Sequence, residues 1–288
     1  MSAGVGWSDR LVWKAAGSWF IIRFSSHITI TMPILILAGL FLLVAAAYSA
    51  VGFGGGSTYN ALLILSGTDF RLVPSIALTC NILVVSGGVY HYAKAGVISF
   101  DKLLPFVVLS IPMALVGGRL PVSEQIFIGL LGFSLLLAAA QMLIRPNFTL
   151  SQPGYTTSRY WLVAAPTGGL IGLLAGITGI GGGIFLAPVI YLFHLAPART
   201  VAGITSGFIL VNSIAGLAGQ MMKTGDYSPM QGWMDAWPLF VTVLIGGQIG
   251  SHLGAYHLPE NWIKRLTALL MLYVAARLIW RWAGLSFS

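Results

Sequence analysis

The chain has 288 residues, of which 57% are hydrophobic and only 8% are charged, and its formal net charge is +8. Soluble proteins carry about 25% charged residues, so this composition excludes a soluble globular protein and predicts an integral membrane protein. The basic residues are spread along the chain instead of forming a cluster. This argues against a nucleic-acid partner and for positions that flank membrane segments.

The N-terminal segment, residues 1–31, precedes the predicted membrane part of the chain. Leu11 to Phe24 combines aromatic residues with Lys14 and Arg23, a composition that suits a helix lying at the membrane surface. The segment lacks an early apolar stretch followed by a small-residue cleavage site. We therefore do not expect a removed signal peptide.

Eight apolar runs follow this segment, and several are long enough to cross about 30 Å of hydrocarbon at ~1.5 Å per residue. The polar linker 146–159 divides them into a first membrane repeat, 32–145, and a second, 160–288. The sequence predicts an all-α integral membrane protein with two homologous four-span repeats and about eight transmembrane helices. The runs are 33–66, 72–92, 103–118 and 123–144 in the first repeat, and 160–194, 200–222, 237–253 and 262–280 in the second.

Nearly the same glycine-rich peptide interrupts the first run of each repeat. Segment 51–57 reads Val-Gly-Phe-Gly-Gly-Gly-Ser, and segment 178–184 reads Thr-Gly-Ile-Gly-Gly-Gly-Ile. A helix over 33–66 would be about 50 Å long, so we expect a full span, a glycine break and a half-length helix in each repeat. The half-length helices should run from about Ser57 to Leu65 and from about Ile184 to Phe193.

Matched breaks of this kind in two halves of a membrane protein indicate a transport site. The number of crossings depends on the half-length helices. The sequence leaves open whether they complete a crossing or return as re-entrant elements. Eight spans is the prediction and ten membrane segments is the alternative; an even number per repeat relates the repeats by an axis along the membrane normal, and an odd number inverts one relative to the other. Under the eight-span scheme, ten basic residues lie on the side of both termini and five on the other, which favours cytoplasmic termini.

A helix that restarts after a glycine break leaves several backbone N–H groups without an intrahelical acceptor. The aligned peptide dipoles add about half a positive charge at that end. Two such ends would therefore hold a small anion without a buried cation, with hydroxyl and amide side chains as further donors and Arg119 as an added positive charge. The candidate substrate-binding residues are Gly54, Gly55, Gly56, Ser57, Thr58, Asn60, Thr79, Asn81, Arg119, Thr178, Gly181, Gly182, Gly183, Thr205 and Ser206.

Other interpretations of the same residues stay open. Small residues also let membrane helices pack closely, which would suit an accessory or structural membrane subunit, and Arg119 can instead extend to the membrane interface. A membrane enzyme would use His91, His194 or His252, but no His-x-x-x-His or Glu-x-x-His spacing is present. The acidic residues all lie in or beside polar loops, which argues against a cation exchanger.

Cys80 is the only cysteine, so the chain offers no internal disulfide and no cysteine metal cluster. We predict a transporter and not an enzyme, with no metal and no cofactor. Its partners would be the lipid bilayer and a small anionic substrate, with no nucleic acid. The sequence does not indicate an oligomeric state.

The doubled glycine pattern resembles the TauE/SafE sulfite exporter family over about residues 34–282. The second repeat carries the resemblance most fully, because 176–188 reads Gly-Ile-Thr-Gly-Ile-Gly-Gly-Gly-Ile-Phe-Leu-Ala-Pro. Thr205-Ser206 matches the family's Thr-Ser pair, and 117–119 matches its Gly-Ala-Arg-like element. The departures are Asn60-Ala61 in place of the proline, Thr79-Cys80-Asn81 in place of Thr-Ser, and His252 in place of the arginine.

This resemblance implies a multi-pass transporter in the cytoplasmic (inner) membrane of a bacterium or archaeon. The implied substrate is sulfite, an organosulfonate such as sulfoacetate, or another sulfur oxyanion. A carrier of a different small oxyanion or of a carboxylate is the alternative. The residues alone predict only a carrier of a small anion.

Overall fold

The computed structural model describes the first strand pair, the long helices and parts of two further segments. Its described residues are 10–15, 18–23, 34–121, 123, 125–126, 128–130, 132–133, 136, 140, 157–192, 196, 198–222, 229–257, 259, 269, 272–273, 275–276 and 278–284. The helices are α1 (Ile34–Ser49), α2 (Gly56–Leu65), α3 (Val73–Lys94), α4 (Phe100–Arg119), α5 (Thr157–Thr178), α6 (Gly183–Leu192), α7 (Ala198–Met221) and α8 (Pro229–Tyr256).

Two short strands stand where the sequence predicted a surface helix. Strand β1 (Arg10–Ala15) pairs antiparallel with β2 (Ser18–Arg23), with Arg10 opposite Arg23 and Ala15 opposite Ser18. The prediction of a helix from Leu11 to Phe24 is therefore wrong. Both strands are rich in aromatic and β-branched residues, which favour extended backbone, and only two residues separate them, as in a hairpin.

Every regular element that the structure describes in the membrane part is a helix. Five helices there are long and apolar enough to cross a membrane, and α1 is a shorter apolar helix. The half-length helices α2 and α6 begin and end within one residue of the expected positions. Most of 123–144 and 262–280 lies outside the described residues, so the total of eight spans stays a prediction, as do the boundaries of the repeats and linker.

Glycines four residues apart join the two halves. Those of α5 face α4, those of α8 face α1, and each lies so close to a facing backbone carbonyl that a β-carbon would overlap it. Small residues at this spacing let membrane helices approach closely. The first helix of each half thus packs on a helix of the other half. The contacts are Gly168 with Phe106, Gly172 with Ser110, Gly176 with Ala114, Gly246 with Leu42, Gly250 with Ala46, and Gly254 with Ala50.

The order of these contacts gives the relative directions of the helices. Residue numbers increase together along the two helices of each pair, so α4 is parallel to α5 and α1 is parallel to α8. By the same reasoning α3 is parallel to α8 and antiparallel to α7, and α4 is parallel to α7. The further contacts are Val84 with Gly247, His91 with His252, Leu78 with Gly216, Gly88 with Ser206, Leu103 with Gly207, and Leu115 with Gly219.

Equivalent helices of the two halves therefore run in opposite directions. Helices α1, α3 and α8 point one way, and α4, α5 and α7 point the other way. Because α1 and α3 share a direction, the chain must return between them through the glycine break and α2. The same holds for α6 between α5 and α7. The hydropathy-based count treats α1 and α2 as one crossing and so does not include this return.

Candidate functional site

The first helix break lies between the end of α1 at Ser49 and the start of α2 at Gly56. Gly55 caps α2 with a φ of 87°, a left-handed conformation that side chains other than glycine rarely adopt. A β-carbon on Gly55 would also lie 2.8 Å from the hydroxyl oxygen of Tyr59. Glycine is thus required here by backbone angle and by space.

The second break repeats this backbone between Thr178, the last residue of α5, and Gly183, the first of α6. Gly182 occupies the position of Gly55 and has a φ of 81°. A β-carbon on Gly182 would lie 2.9 Å from the Cγ2 atom of Ile171 and 3.0 Å from the ring of Phe208. The two breaks therefore share their geometry, while the capping glycine of the second is surrounded by apolar side chains.

Backbone N–H groups at both breaks lack hydrogen-bond acceptors. In the first break the amides of Thr58 and Tyr59 donate to the carbonyl of Gly55, but those of residues 54–57 have no acceptor among the described residues. In the second, the amides of Phe185 and Leu186 donate to Gly182, and those of 181–184 have no described acceptor. Such amides at a helix N-terminus attract anions.

Asn81, on α3, lies between the two breaks. It is fully buried, and its Nδ2 donates to the carbonyl oxygen of Gly179 at 3.4 Å. β-Carbons added to Gly54 or Gly56 would overlap its amide, and one added to Gly181 would lie 2.9 Å from its Nδ2. A single side chain thus contacts the start of α2 and the approach to α6, which brings these predicted residues together.

Donors from one half also bind carbonyls at the break of the other half. Ser206 Oγ donates to the carbonyl of Gly52 at 3.0 Å, and Thr205 Oγ1 lies 3.2 Å from the same oxygen. Asn60 Nδ2 donates to the carbonyl of Thr178. The side chains predicted at 60, 205 and 206 therefore contact backbone carbonyls at the breaks.

The remaining predicted side chains occupy different surroundings. Thr58 Oγ1 hydrogen-bonds the hydroxyl of Tyr48 at 2.6 Å, and Ser57 is buried beside it. Thr79 and Thr178 donate to carbonyls four residues earlier in their own helices. Arg119 is exposed at the end of α4, so it does not belong to the buried cluster.

Several buried polar atoms around the breaks have no hydrogen-bond partner among the described residues. They are Tyr59 OH, Asn60 Oδ1, Asn81 Oδ1, Asn212 Oδ1, Ser213 Oγ and Gln220 Oε1. Ser213 Oγ lies 2.9 Å from where a β-carbon of Gly181 would be. Tyr59 and Ser213 were not predicted as site residues. For Ser213 the available signal was the Asn-Ser pair at 212–213 inside an apolar helix.

The histidines considered for a membrane enzyme come together at the C-terminal ends of α3 and α8. His91 Nε2 lies 3.2 Å from Gln248 Oε1, and the rings of His91 and His252 are 5.5 Å apart. Among the described residues, no group of three or more His, Cys, Asp or Glu could hold a metal ion. His194 lies outside the described residues.

The apolar helices and paired breaks define a multi-pass helical membrane protein of a transporter type. The chain belongs to the Sulfite exporter TauE/SafE family, whose model matches residues 15–278. The resemblance seen in the glycine motifs is thereby confirmed. No solved structure matches the chain.

Two relatives carry transporter names. "Probable membrane transporter protein y4hK" of Sinorhizobium fredii (strain NBRC 101917 / NGR234) is 31% identical over 248 residues, which cover 85% of this chain and 97% of the relative. "Probable membrane transporter protein YjnA" of Bacillus subtilis (strain 168) is 28% identical over 263 residues, covering 85% of this chain and 98% of the relative. The family and the names of these relatives identify this chain as a membrane transporter.

Proposed function

We propose that the chain is a secondary carrier, exporter or importer, of a small sulfur-containing anion such as sulfite or an organosulfonate. The anion binds between the starts of α2 and α6. The observation that carries this proposal is the contact of Asn81 with Gly54, Gly56 and Gly181, because it joins both sets of unpaired amides in one buried place. The family name supports sulfite as the first substrate to test.

The electrostatics of the site favour a negative ligand. Each half-length helix contributes about half a positive charge at its N-terminus, and the two N-termini lie near one side chain. The described acidic residues of the first half, Asp69 and Asp101, are exposed and lie between helices or in a first turn. An anion would therefore meet peptide dipoles and amide donors at a distance from these two carboxylates, which would repel it.

The opposite directions of α1 and α5 support an inverted pair of repeats with ten membrane segments. In this arrangement α2 and α6 enter the membrane from opposite sides, and their N-termini meet near the middle. Inverted repeats with discontinuous helices at the midplane are a recurring transporter architecture. We place the protein in the cytoplasmic membrane.

The packing between halves bears on how access alternates. The glycine contacts of α1 with α8 and of α4 with α5 interlock the two halves, so a rocking motion of one whole half against the other would separate close-packed backbones. The half-length helices make fewer such contacts. Access then alternates through movement of α2 and α6 at their glycine breaks, while the long helices stay together.

Leucine at either capping glycine tests the site. We expect Gly55→Leu and Gly182→Leu each to lower uptake of labelled sulfite into proteoliposomes by roughly 100-fold or more, because several hydrogen bonds to a charged ligand are lost at about 1.5–3 kcal/mol each. Gly39→Leu is the control, since Gly39 is exposed on α1 with no atom within 4 Å of its β-carbon. Unchanged uptake in both variants would rule out this site.

A second measurement separates a carrier from an accessory subunit. Sulfite at 100 times its Kd should stabilise purified protein by about 2.7 kcal/mol through binding to the folded state, seen as a rise in Tm. A subunit that uses its glycines only for packing would show no rise. A rise with a carboxylate or another oxyanion, and none with sulfite or sulfonates, would assign the alternative substrate class.

A further inference from the structure

We infer that the anion accepted by this site carries one negative charge and also donates a hydrogen bond. Hydrogen sulfite in its hydroxyl form fits this description, as does a sulfonate whose carbon chain bears a hydroxyl or amino group. Fully deprotonated sulfite and sulfate do not. The inference rests on the proposed function and follows from the acceptor atoms that lie beside the unpaired amides.

The orientation of two asparagine amides is fixed by what their nitrogens bind. Asn81 Nδ2 donates to the carbonyl of Gly179, and Asn60 Nδ2 donates to the carbonyl of Thr178. Turning either amide over would place its oxygen against a carbonyl oxygen, and neither atom can donate. The amide oxygens of Asn60 and Asn81 are therefore hydrogen-bond acceptors that point elsewhere.

These two oxygens are buried without partners. Asn60 and Asn81 are both 0% exposed, and neither Oδ1 has a hydrogen-bond partner in the described part of the chain. Asn81 Oδ1 lies against the break itself, 2.8 Å from where a β-carbon of Gly56 would be. Unpaired amide donors and an unpaired acceptor thus lie side by side at the first break.

A ligand that binds at this point has to satisfy both kinds of group. Its anionic oxygens accept from the amides of 54–57 and 181–184, and a hydroxyl or ammonium hydrogen donates to Asn81 Oδ1. A ligand without a donor would leave the amide oxygen unpaired and facing negative charge. Sites that hydrogen-bond a substrate hydroxyl reject analogues that lack it far more strongly than apolar pockets reject a methyl group.

Two sulfonates of equal charge and similar size test the inference. Isethionate has a terminal hydroxyl where 1-propanesulfonate has a methyl group. Each is added to proteoliposomes that take up labelled sulfite, and the concentration giving half-maximal inhibition is measured. We expect isethionate to inhibit at a concentration roughly tenfold or more below that of 1-propanesulfonate, because only it pairs the buried acceptor.

A variant assigns this preference to the amide oxygen of Asn81. Asn81→Ala should bring the two inhibition constants within about twofold of each other by removing the acceptor that distinguishes them. Ser86→Ala is the matched control on α3, since its exposed hydroxyl donates only to Ile82 of its own helix. It should keep the wild-type preference.

The outcomes separate this inference from the proposed function. Equal inhibition by the two sulfonates, stronger inhibition by 1-propanesulfonate, or inhibition by neither while sulfite is still carried would overturn the inference and leave the carrier function standing. Absence of sulfite uptake by well-folded protein would overturn the proposed function itself. A preference for isethionate that persists in Asn81→Ala would also overturn the assignment to this oxygen.

Discussion

The two glycine breaks share a backbone and differ in the helices they start. Gly55 and Gly182 have φ angles of 87° and 81° immediately before their half-length helices. After this common start, the first turns of α2 and α6 have opposite character. The buried side chains there are those of Ser57, Thr58, Tyr59 and Asn60 in α2, and of Ile184, Leu186 and Ala187 in α6.

The two breaks thus have backbone features in common, as expected of a duplicated sequence, and differ in their side chains. Helix dipoles and, among the described residues, unpaired amides depend only on backbone and are present at both breaks, so we expect each break to attract an anion. Hydroxyl and amide groups on the half-length helix occur only at the first break, and the second presents Ile171, Phe208 and Ile209. We expect the second break to contribute charge stabilisation and an apolar wall, and the first to determine which anion fits.

The largest loss of stability should come from substitutions that disturb the backbone conformation common to both breaks. Gly52 and Gly179 occupy equivalent positions with φ angles of 80° and 73°, and β-carbons there would collide with the backbones of Ala202 and Pro74. We expect Gly52→Ala and Gly179→Ala each to lower the free energy of unfolding by roughly 3 kcal/mol or more, through backbone strain plus overlap. Thermal unfolding in detergent measures the change.

Gly39→Ala provides the comparison for these two substitutions. It introduces the same methyl group on a helix where no atom lies within 4 Å, so the Tm should stay the same or rise slightly. Equal Tm values for Gly39→Ala, Gly52→Ala and Gly179→Ala would contradict the tight backbone contact at the breaks.

A smaller loss of stability should come from removing the two hydroxyls that contact the first break and not the second. Ser206 Oγ and Thr205 Oγ1 both lie within hydrogen-bond distance of the carbonyl of Gly52. The Thr205 hydroxyl lies nearer the carbonyl of Val201, at 2.8 Å, but can turn to Gly52 in Ser206→Ala. Each single variant therefore leaves one donor for Gly52, whereas the double variant leaves this buried carbonyl unpaired. The double variant should lose about 1–3 kcal/mol, more than the sum of the single losses. Strict additivity in thermal unfolding would show that the two donors do not share this acceptor.

Sequence reasoning located the breaks because their cause is local. An unbroken helix over the first apolar run would be about 50 Å long, which exceeds a bilayer core of about 30 Å. Three consecutive glycines in the middle of the run mark where the helix ends. A half-length helix is then what remains after the break. Residues 54, 56 and 181 could be grouped from the repeat alone. Asn81 could be chosen as a polar residue inside an apolar helix.

The arrangement around the breaks depends on contacts between distant segments, which no local pattern reports. Hydropathy gives the same profile whether α2 continues the direction of α1 or returns, so the directions of α1 and α3 could not be read from it. Thr205 and Ser206 were chosen as ligands for the anion, which stays a prediction, and no local pattern reports their contact with the carbonyl of Gly52, 154 residues from Ser206. The strand pair at 10–23 was missed because aromatic residues beside basic ones suit a surface helix equally well.

The smallest effect should come from a hydrogen bond that has no equivalent in the second half. Tyr48 OH lies 2.6 Å from Thr58 Oγ1 and ties the end of α1 to the first turn of α2. The position equivalent to Tyr48 is Ala175, so α5 and α6 lack this bond. Tyr48→Phe should lower stability by about 1 kcal/mol and speed hydrogen exchange of backbone amides in α2 but not in α6.

Tyr160→Phe is the matched control for that measurement. It makes the same chemical change and removes a hydrogen bond of 2.7 Å from Tyr160 OH to the carbonyl of Lys102, which joins α5 to α4 away from both breaks. Its loss of stability should be similar, because one hydrogen bond is removed in each case, but exchange in α2 should not change. Faster exchange in α2 and α6 together after Tyr48→Phe would mean that the two breaks open as one unit, and the difference between them would then lie in ligand contacts alone.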